Sequence, residues 1–441
     1  MVTTSRAVVV ASISLAAYPG LIVALILFSM PVFSSADDRG QVPATGAETT
    51  PIFILPDYRL APEQLAVIVN DASMLSVRLG SYYQKRRKIP AANLIHVNMP
   101  VDMADISPAQ FTKIRADIFK RTPGAVQAYV MTWMMPYRVG CMSITSALTL
   151  GYDVAFCQQQ KTGVCRQDKQ GSGYFNSFSS KPFKDHNMRP SMLLAARDWA
   201  GAKALVERGI GADARIPTGT AYLVSTSDKA RDVRALQYEK TVASLGSQIH
   251  MQTPKTDALQ DRNDVLFYFT GLAWVKHLDS LGFVPGAIAD HLTSAGGFLN
   301  GTGQMSIMQW LEAGATGSYG TVTEPCNYPQ KFPVPGIVMQ HYLMGASLIE
   351  AYWKSVLWPR EGVFIGEPLA APYAGYRVER VPGQINLQTF ALKPGVYQLY
   401  TSASVLGPYT RDSIILTVRP GQHKFYFPDL QKRVYKLVKL K

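Results

Sequence analysis

"IADHLTSAGG", residues 288 to 297, is the stretch on which the reading of this chain turns. An apolar run ends in Asp290-His291 and drops at once into Thr293, Ser294 and the pair Gly296-Gly297. A buried strand that stops this way puts its polar residues at the carboxyl edge of a sheet, where parallel α/β folds hold their ligands. The segment is therefore either a catalytic strand end or a polar stop to a core strand.

Working outward, apolar runs alternate with segments of helical spacing. "LAVIVN" (65–70) precedes "DASMLSVRLGSYYQKRR", and "LIHVNM" (94–99) precedes a helix begun by Ser107-Pro108, with Phe111, Ile114, Ile118 and Phe119 on one face. "AVQAYVMTWMM" (125–135) is apolar throughout, as a strand covered on both faces is. "MLLAA" (192–196), "TAYLVS" (220–225) and "DVLFYFTG" (264–271) continue the series, with "KARDVRALQYEKTVASLG" expected as one helix between the last two. Beyond the opening stretch come a helix at 304–313, a strand "ATGSYGTV" (315–322), a long helix over 337–357 and a strand "GVFIGEP" (362–368). Repeated strand-helix units predict an α/β fold, a mostly parallel sheet with helices on both faces.

The pattern breaks twice. Residues 157–190 are rich in Ser, Gly and charge and read as a surface excursion. From Tyr376 the text becomes strand-like with Pro-Gly turns and no helical period, predicting a small C-terminal β-sandwich over 376–441, after an α/β domain spanning 37–375. Residues 1–36 hold one charge, Arg6, then an apolar stretch and Ser34-Ser35-Ala36, the pattern of a secretory signal peptide. The apolar stretch is also long enough to cross a bilayer, so a retained inner-membrane anchor is the alternative to export into the periplasm or outer envelope.

Net charge is +13, from 44 Lys and Arg against 31 Asp and Glu. In an exported chain that excess suits an anionic polysaccharide or lipid surface and not nucleic acid; a basic surface without a partner reads equally well. Export also permits disulfides. Cys157 and Cys165 bracket a short polar loop that one bridge would close, leaving Cys141 and Cys326 to pair or stay free.

The strand-tip rule selects Thr270-Gly271, then 290–297, then 323–328. Within these tips, His291 and Cys326 are the candidate base and nucleophile of a cysteine peptidase or transpeptidase, with Asp290 or Glu324 orienting the ring and the amides of Gly296 and Gly297 receiving an oxyanion. Thr270, Thr293, Ser294, Gly296 and Glu324 are the expected ligand-binding residues. The competing reading buries Cys326 or ties it in a disulfide and leaves His291 to satisfy a loop. No second His stands at ligand spacing, no G-x-S-x-G elbow is present, and the glycines of "GFLNGTGQM" lack a following Lys-Ser/Thr, so no metal and no cofactor is expected. His277 and His341 fall in helical stretches and read as packing or surface residues.

From Asp264 to Tyr373 the order of elements resembles the gingipain-like branch of the caspase-fold cysteine peptidases, with "LFYFTGLA" (266–273), "IADHLTSAGG" and "VFIGEPLA" (363–370) at that family's three strand tips and a β-rich tail behind. The resemblance implies a caspase-like fold. It also implies lost chemistry, because Thr270-Gly271-Leu272 stands where the family has its catalytic His and Thr293-Ser294-Ala295 where it has its Cys. More of the chain resembles a family of exported bacterial proteins found in genomes that carry exosortase, through "YYQKRRKIPAANLIHVNMP" (82–100), "DHLTSAGG", "GSYGTVTEPC" (317–326), "EAYWKSV" (350–356) and "GEPLA" (366–370). That resemblance implies an envelope role beside a sorting or exopolysaccharide system, with a peptide or protein of that system as a partner, and implies no reaction.

Overall fold

The computed structural model describes residues 50–160, 167–168, 171–301 and 303–440. The expected signal peptide, Arg6 and Cys165 lie outside the described residues.

Ten strands form the main sheet: β1 (Leu65–Asn70), β2 (Leu94–Val97), β3 (Ala128–Met131), β4 (Ser191–Leu193), β5 (Thr220–Leu223), β6 (His250–Gln252), β7 (Arg262–Thr270), β8 (Leu281–His291), β9 (Gly317–Thr321) and β10 (Gly362–Gly366). Their spatial order is β6-β5-β7-β8-β9-β10-β4-β3-β1-β2. All neighbours are parallel except β9 and β10, which run antiparallel from Gly317↔Gly366 to Thr321↔Gly362. The carboxyl ends of β5 to β9 thus share one edge, and those of β1 to β4 and β10 share the opposite edge. Every residue of β1 and of β3 is buried, as is Val265–Thr270 of β7, because helices cover both faces.

Helix boundaries follow the capping chemistry. Ser73 caps α1 (Met74–Arg87) by accepting from the Ser76 amide, and the helix stops at Lys88 in the left-handed region. Ser107 caps α2 (Pro108–Arg121), whose Phe111 and Ile118 are buried. Three expected helices are shorter or broken. Only Met308–Ala313 of 304–313 is α-helical, because Met305 and Ile307 hydrogen-bond instead to Ala273 and Gly296. The long helix over 337–357 is two, Pro335–Leu343 and Leu348–Trp353, parted at Gly345 (φ +84°) and restarted by a Ser347–Glu350 capping box. The segment after β5 forms a 3-10 turn, Asp232–Gln237, before helix Tyr238–Leu245, since Asp232 is held by Ser225 and Thr226.

Beyond the main sheet, β11 (Arg377–Val381), β12 (Gln384–Gln388), β13 (Gly395–Ser402), β14 (Thr410–Val418), β15 (Lys424–Pro428) and β16 (Val434–Lys439) form two sheets, β11-β12-β15 and one of four strands in which β16, β13 and β14 are joined by Ile52–Ile54. Ile385, Leu387 and Phe427 from one sheet pack with Phe53, Leu399 and Leu437 from the other in a separate core. Ile52–Ile54 pairs in parallel with β16, so a strand N-terminal to the whole α/β sheet completes the C-terminal sandwich. Among the described residues no helix is long and apolar enough to cross a membrane.

The disulfide expected between Cys157 and Cys165 is not formed: Cys157 is bonded to Cys141. Helix Ile144–Leu150 folds the intervening chain back so that the two Cα atoms lie 5.3 Å apart, inside bridging range. Cys157 belongs to the main core and is 5% exposed.

Candidate functional site

The tips of β7, β8 and β9 do converge, but as packed interior. Thr270, Asp290, His291 and Thr293 are all buried. Asp290 sits opposite Phe269, and His291 opposite Thr270, across the β7–β8 ladder. Successive strand residues point to opposite faces, so Asp290 and His291 meet different neighbours.

His291 turns toward Trp310 and Met305. Its Nδ1 accepts from Trp310 Nε1 at 2.9 Å, and its Nε2 lies 3.1 Å from the Met305 carbonyl oxygen, which only an Nε2–H can satisfy. Both ring nitrogens are thereby used in the neutral tautomer. Burial pushes the ring's pKa down to about 3, assisted by the Arg234 and Arg231 charges and opposed by the Met305 hydrogen bond.

Asp290 turns the other way, to Arg234, and both side chains are 1% exposed. Arg234 also donates to the Thr270 carbonyl oxygen at 2.6 Å and lies over the Phe269 ring. Burial raises the Asp290 carboxyl above its ordinary range although Arg234 pulls it down. Asp290 therefore does not orient the His291 ring, and the expected base-orienter pair is absent.

Cys326 is disulfide-bonded, so it presents no thiolate, and the His291–Cys326 dyad has neither a nucleophile nor a free ring nitrogen. Glu324 is exposed and accepts from the Cys326 backbone amide at 2.8 Å, turning the loop on itself. The oxyanion role expected of the glycines fails for Gly297, whose N–H donates to the Thr321 carbonyl oxygen at 2.9 Å. A methyl group on Gly297 would stand 2.7 Å from the Thr321 carbonyl carbon: the glycines let two backbones touch.

Four side chains that complete this cluster were not singled out from the sequence: Arg231, Arg234, Gln304 and Trp310. Arg231 Nε donates to Thr293 Oγ1 at 3.0 Å, while its far end pairs with Asp228. Gln304 Oε1 accepts from Thr293 Oγ1 and the Ala295 amide, both at 2.8 Å. Thr321 Oγ1 reaches the carbonyls of Thr293 and Ser294. The 228–237 segment is pressed onto the β7 tip so closely that a methyl group on Gly271 would stand 1.9 Å from the Arg231 carbonyl oxygen. The sequence signal for this plug is two arginines three residues apart in a segment whose spacing predicts one helix.

No family model matches the chain, and no curated protein matches it. Among solved structures it is similar to the Arg-specific cysteine proteinase gingipain R, over 84% of this chain and 92% of that one, with a TM-score of 0.37 and 8% sequence identity.

Proposed function

We propose that this chain is a non-catalytic binding protein of the bacterial cell envelope, an accessory to an exosortase-linked sorting or exopolysaccharide system built on a caspase-like scaffold without peptidase chemistry. One observation carries the reading: the strand tips where a peptidase would hold its dyad are filled by the chain's own Arg231–Arg234 segment, with His291 engaged at both nitrogens. The disulfides at Cys141–Cys157 and at Cys326 suit an oxidising compartment, which supports export.

The test uses the exported protein under non-reducing conditions, with fluorogenic peptides carrying Arg, Lys or Ala before the scissile bond and a cysteine-directed electrophile. Neither turnover nor labelling is expected. Turnover that disappears in His291→Ala, or selective labelling of Cys326, would overturn the proposal.

A further inference from the structure

A cavity of about 380 Å³ opens between α2, the end of helix Ile144–Leu150, the loops at 171–173 and 186–188, and Pro359-Arg360. That volume lies in the lower range of small-ligand sites. Its most telling group is Arg115. The guanidinium is half-buried, lies 4.2 Å from the centre of the Phe119 ring and, among the described residues, hydrogen-bonds only through its Nε, which donates to the Leu148 carbonyl oxygen at 2.9 Å.

Arg189 stands behind the same ring, 5.5 Å from its centre and 5% exposed, with its Nε on the Val126 carbonyl oxygen. Among the described residues neither arginine has a carboxylate partner, and burial lowers the pKa of both. The second arginine of the wall itself, Arg360, differs: Asp168 at 2.7 Å and Asp153 at 3.4 Å answer its charge.

A partly desolvated cation without a counter-charge is costly, and a guanidinium with its terminal nitrogens left over is shaped for an oxyanion held by two parallel hydrogen bonds. The rest of the wall suits hydroxyl groups better than an acyl chain. Ser172 and the exposed Asn187 line it, and His186, tied through Nε2 to Ser177 at 2.9 Å, keeps Nδ1 on the side of Gly173.

We propose that this cavity binds an oxyanion, carboxylate or phosphate, carried on a polyhydroxylated sugar-like molecule, with Arg115 gripping the anion and Asn187, His186 and Ser172 meeting the hydroxyls. The inference deepens the binding role proposed above and rests on it. The two fail separately, because peptidase turnover at the strand tips is read without any sugar and the titration below without any peptide.

The experiment is calorimetric titration of the full exported chain with glucuronate, glucose 6-phosphate, inorganic phosphate and neutral glucose. One of the two sugar anions is expected to bind, more weakly as salt rises, with glucose silent; which anion binds tighter assigns the ligand as sugar acid or sugar phosphate. Arg115→Gln is expected to weaken that binding at least about tenfold, as loss of a charged hydrogen-bonding group does. Asn187→Gly, which keeps the left-handed backbone at φ 53° and removes the amide, tests the hydroxyl side without disturbing the fold and is expected to weaken binding several-fold. The proposal is overturned if neither sugar anion binds at millimolar concentration, if glucose binds equally, if inorganic phosphate binds as tightly as the sugar phosphate, or if both variants, folded by circular dichroism, bind as the parent does.

Discussion

Asp290 and His291 are consecutive in the chain and stand back to back in the structure, one paired with Arg234 on one face of the sheet and the other held between Trp310 and Met305 on the other. Their adjacency in sequence suggests a base and its orienter. The pleat of β8 separates them.

The Arg234–Asp290 pair is buried at both ends, so removing one partner strands a charge. Asp290→Ala is expected to cost about 3–5 kcal/mol of unfolding free energy, read from urea denaturation. A double variant, Asp290→Leu with Arg234→Met, is expected to recover much of that loss, since an apolar pair of similar volume avoids the desolvation cost. A loss below about 1 kcal/mol in Asp290→Ala would mean that the pair is not buried as described.

His291 gives the stability a pH dependence of definite sign. Its folded pKa of about 3 lies below the ordinary value of about 6.5, so the unfolded chain takes up this proton first. The contribution is complete above about pH 6.5 and is lost as pH falls toward 3, with a slope of up to about 1.4 kcal/mol per pH unit. His341, buried and pushed down to about 3 by its own desolvation, adds a parallel slope. His291→Gln is expected to be less stable at pH 7 but flatter between pH 6.5 and 4. Equal slopes in parent and variant would contradict the buried neutral ring.

The Cys141–Cys157 bridge is testable by peptide mass. No Lys or Arg lies between the two cysteines, so a non-reducing tryptic digest is expected to yield residues 139–161 as one peptide, lighter by a pair of hydrogens than its reduced form. A bridge from Cys157 to Cys165 would instead join two peptides across Lys161. With a sequence separation of 16, Cys141→Ser is expected to cost about 3 kcal/mol.

Gly271 reports on the plug at the β7 tip. Gly271→Ala forces its new methyl against the Arg231 carbonyl, and a loss of about 1–3 kcal/mol is expected, with the denaturant midpoint falling. An unchanged midpoint would show that the 228–237 segment yields readily and that the tip can open.

Much of the fold was legible because its strands are nearly continuous apolar runs and its helices begin at clear caps, as "LAVIVN" and Ser107-Pro108 show. Helices were over-read where side chains were claimed by distant partners: periodicity in 228–245 cannot reveal that Arg231 and Arg234 reach the next strands' tips, nor that Met305 serves His291. The contribution of Ile52–Ile54 to the C-terminal sandwich was hidden for the same reason, since its partner Val434–Lys436 lies at the other end of the chain.

The sequence by itself determined the α/β class and the sheet-edge location of Asp290, His291 and Thr293, because these follow from local pattern. Only the tertiary structure decided that Cys157 joins Cys141, that Asp290 and His291 face apart, and that the tips are filled by the protein's own arginines. Those outcomes depend on which groups meet across hundreds of residues and compete for burial and hydrogen bonds, and no local pattern encodes that competition.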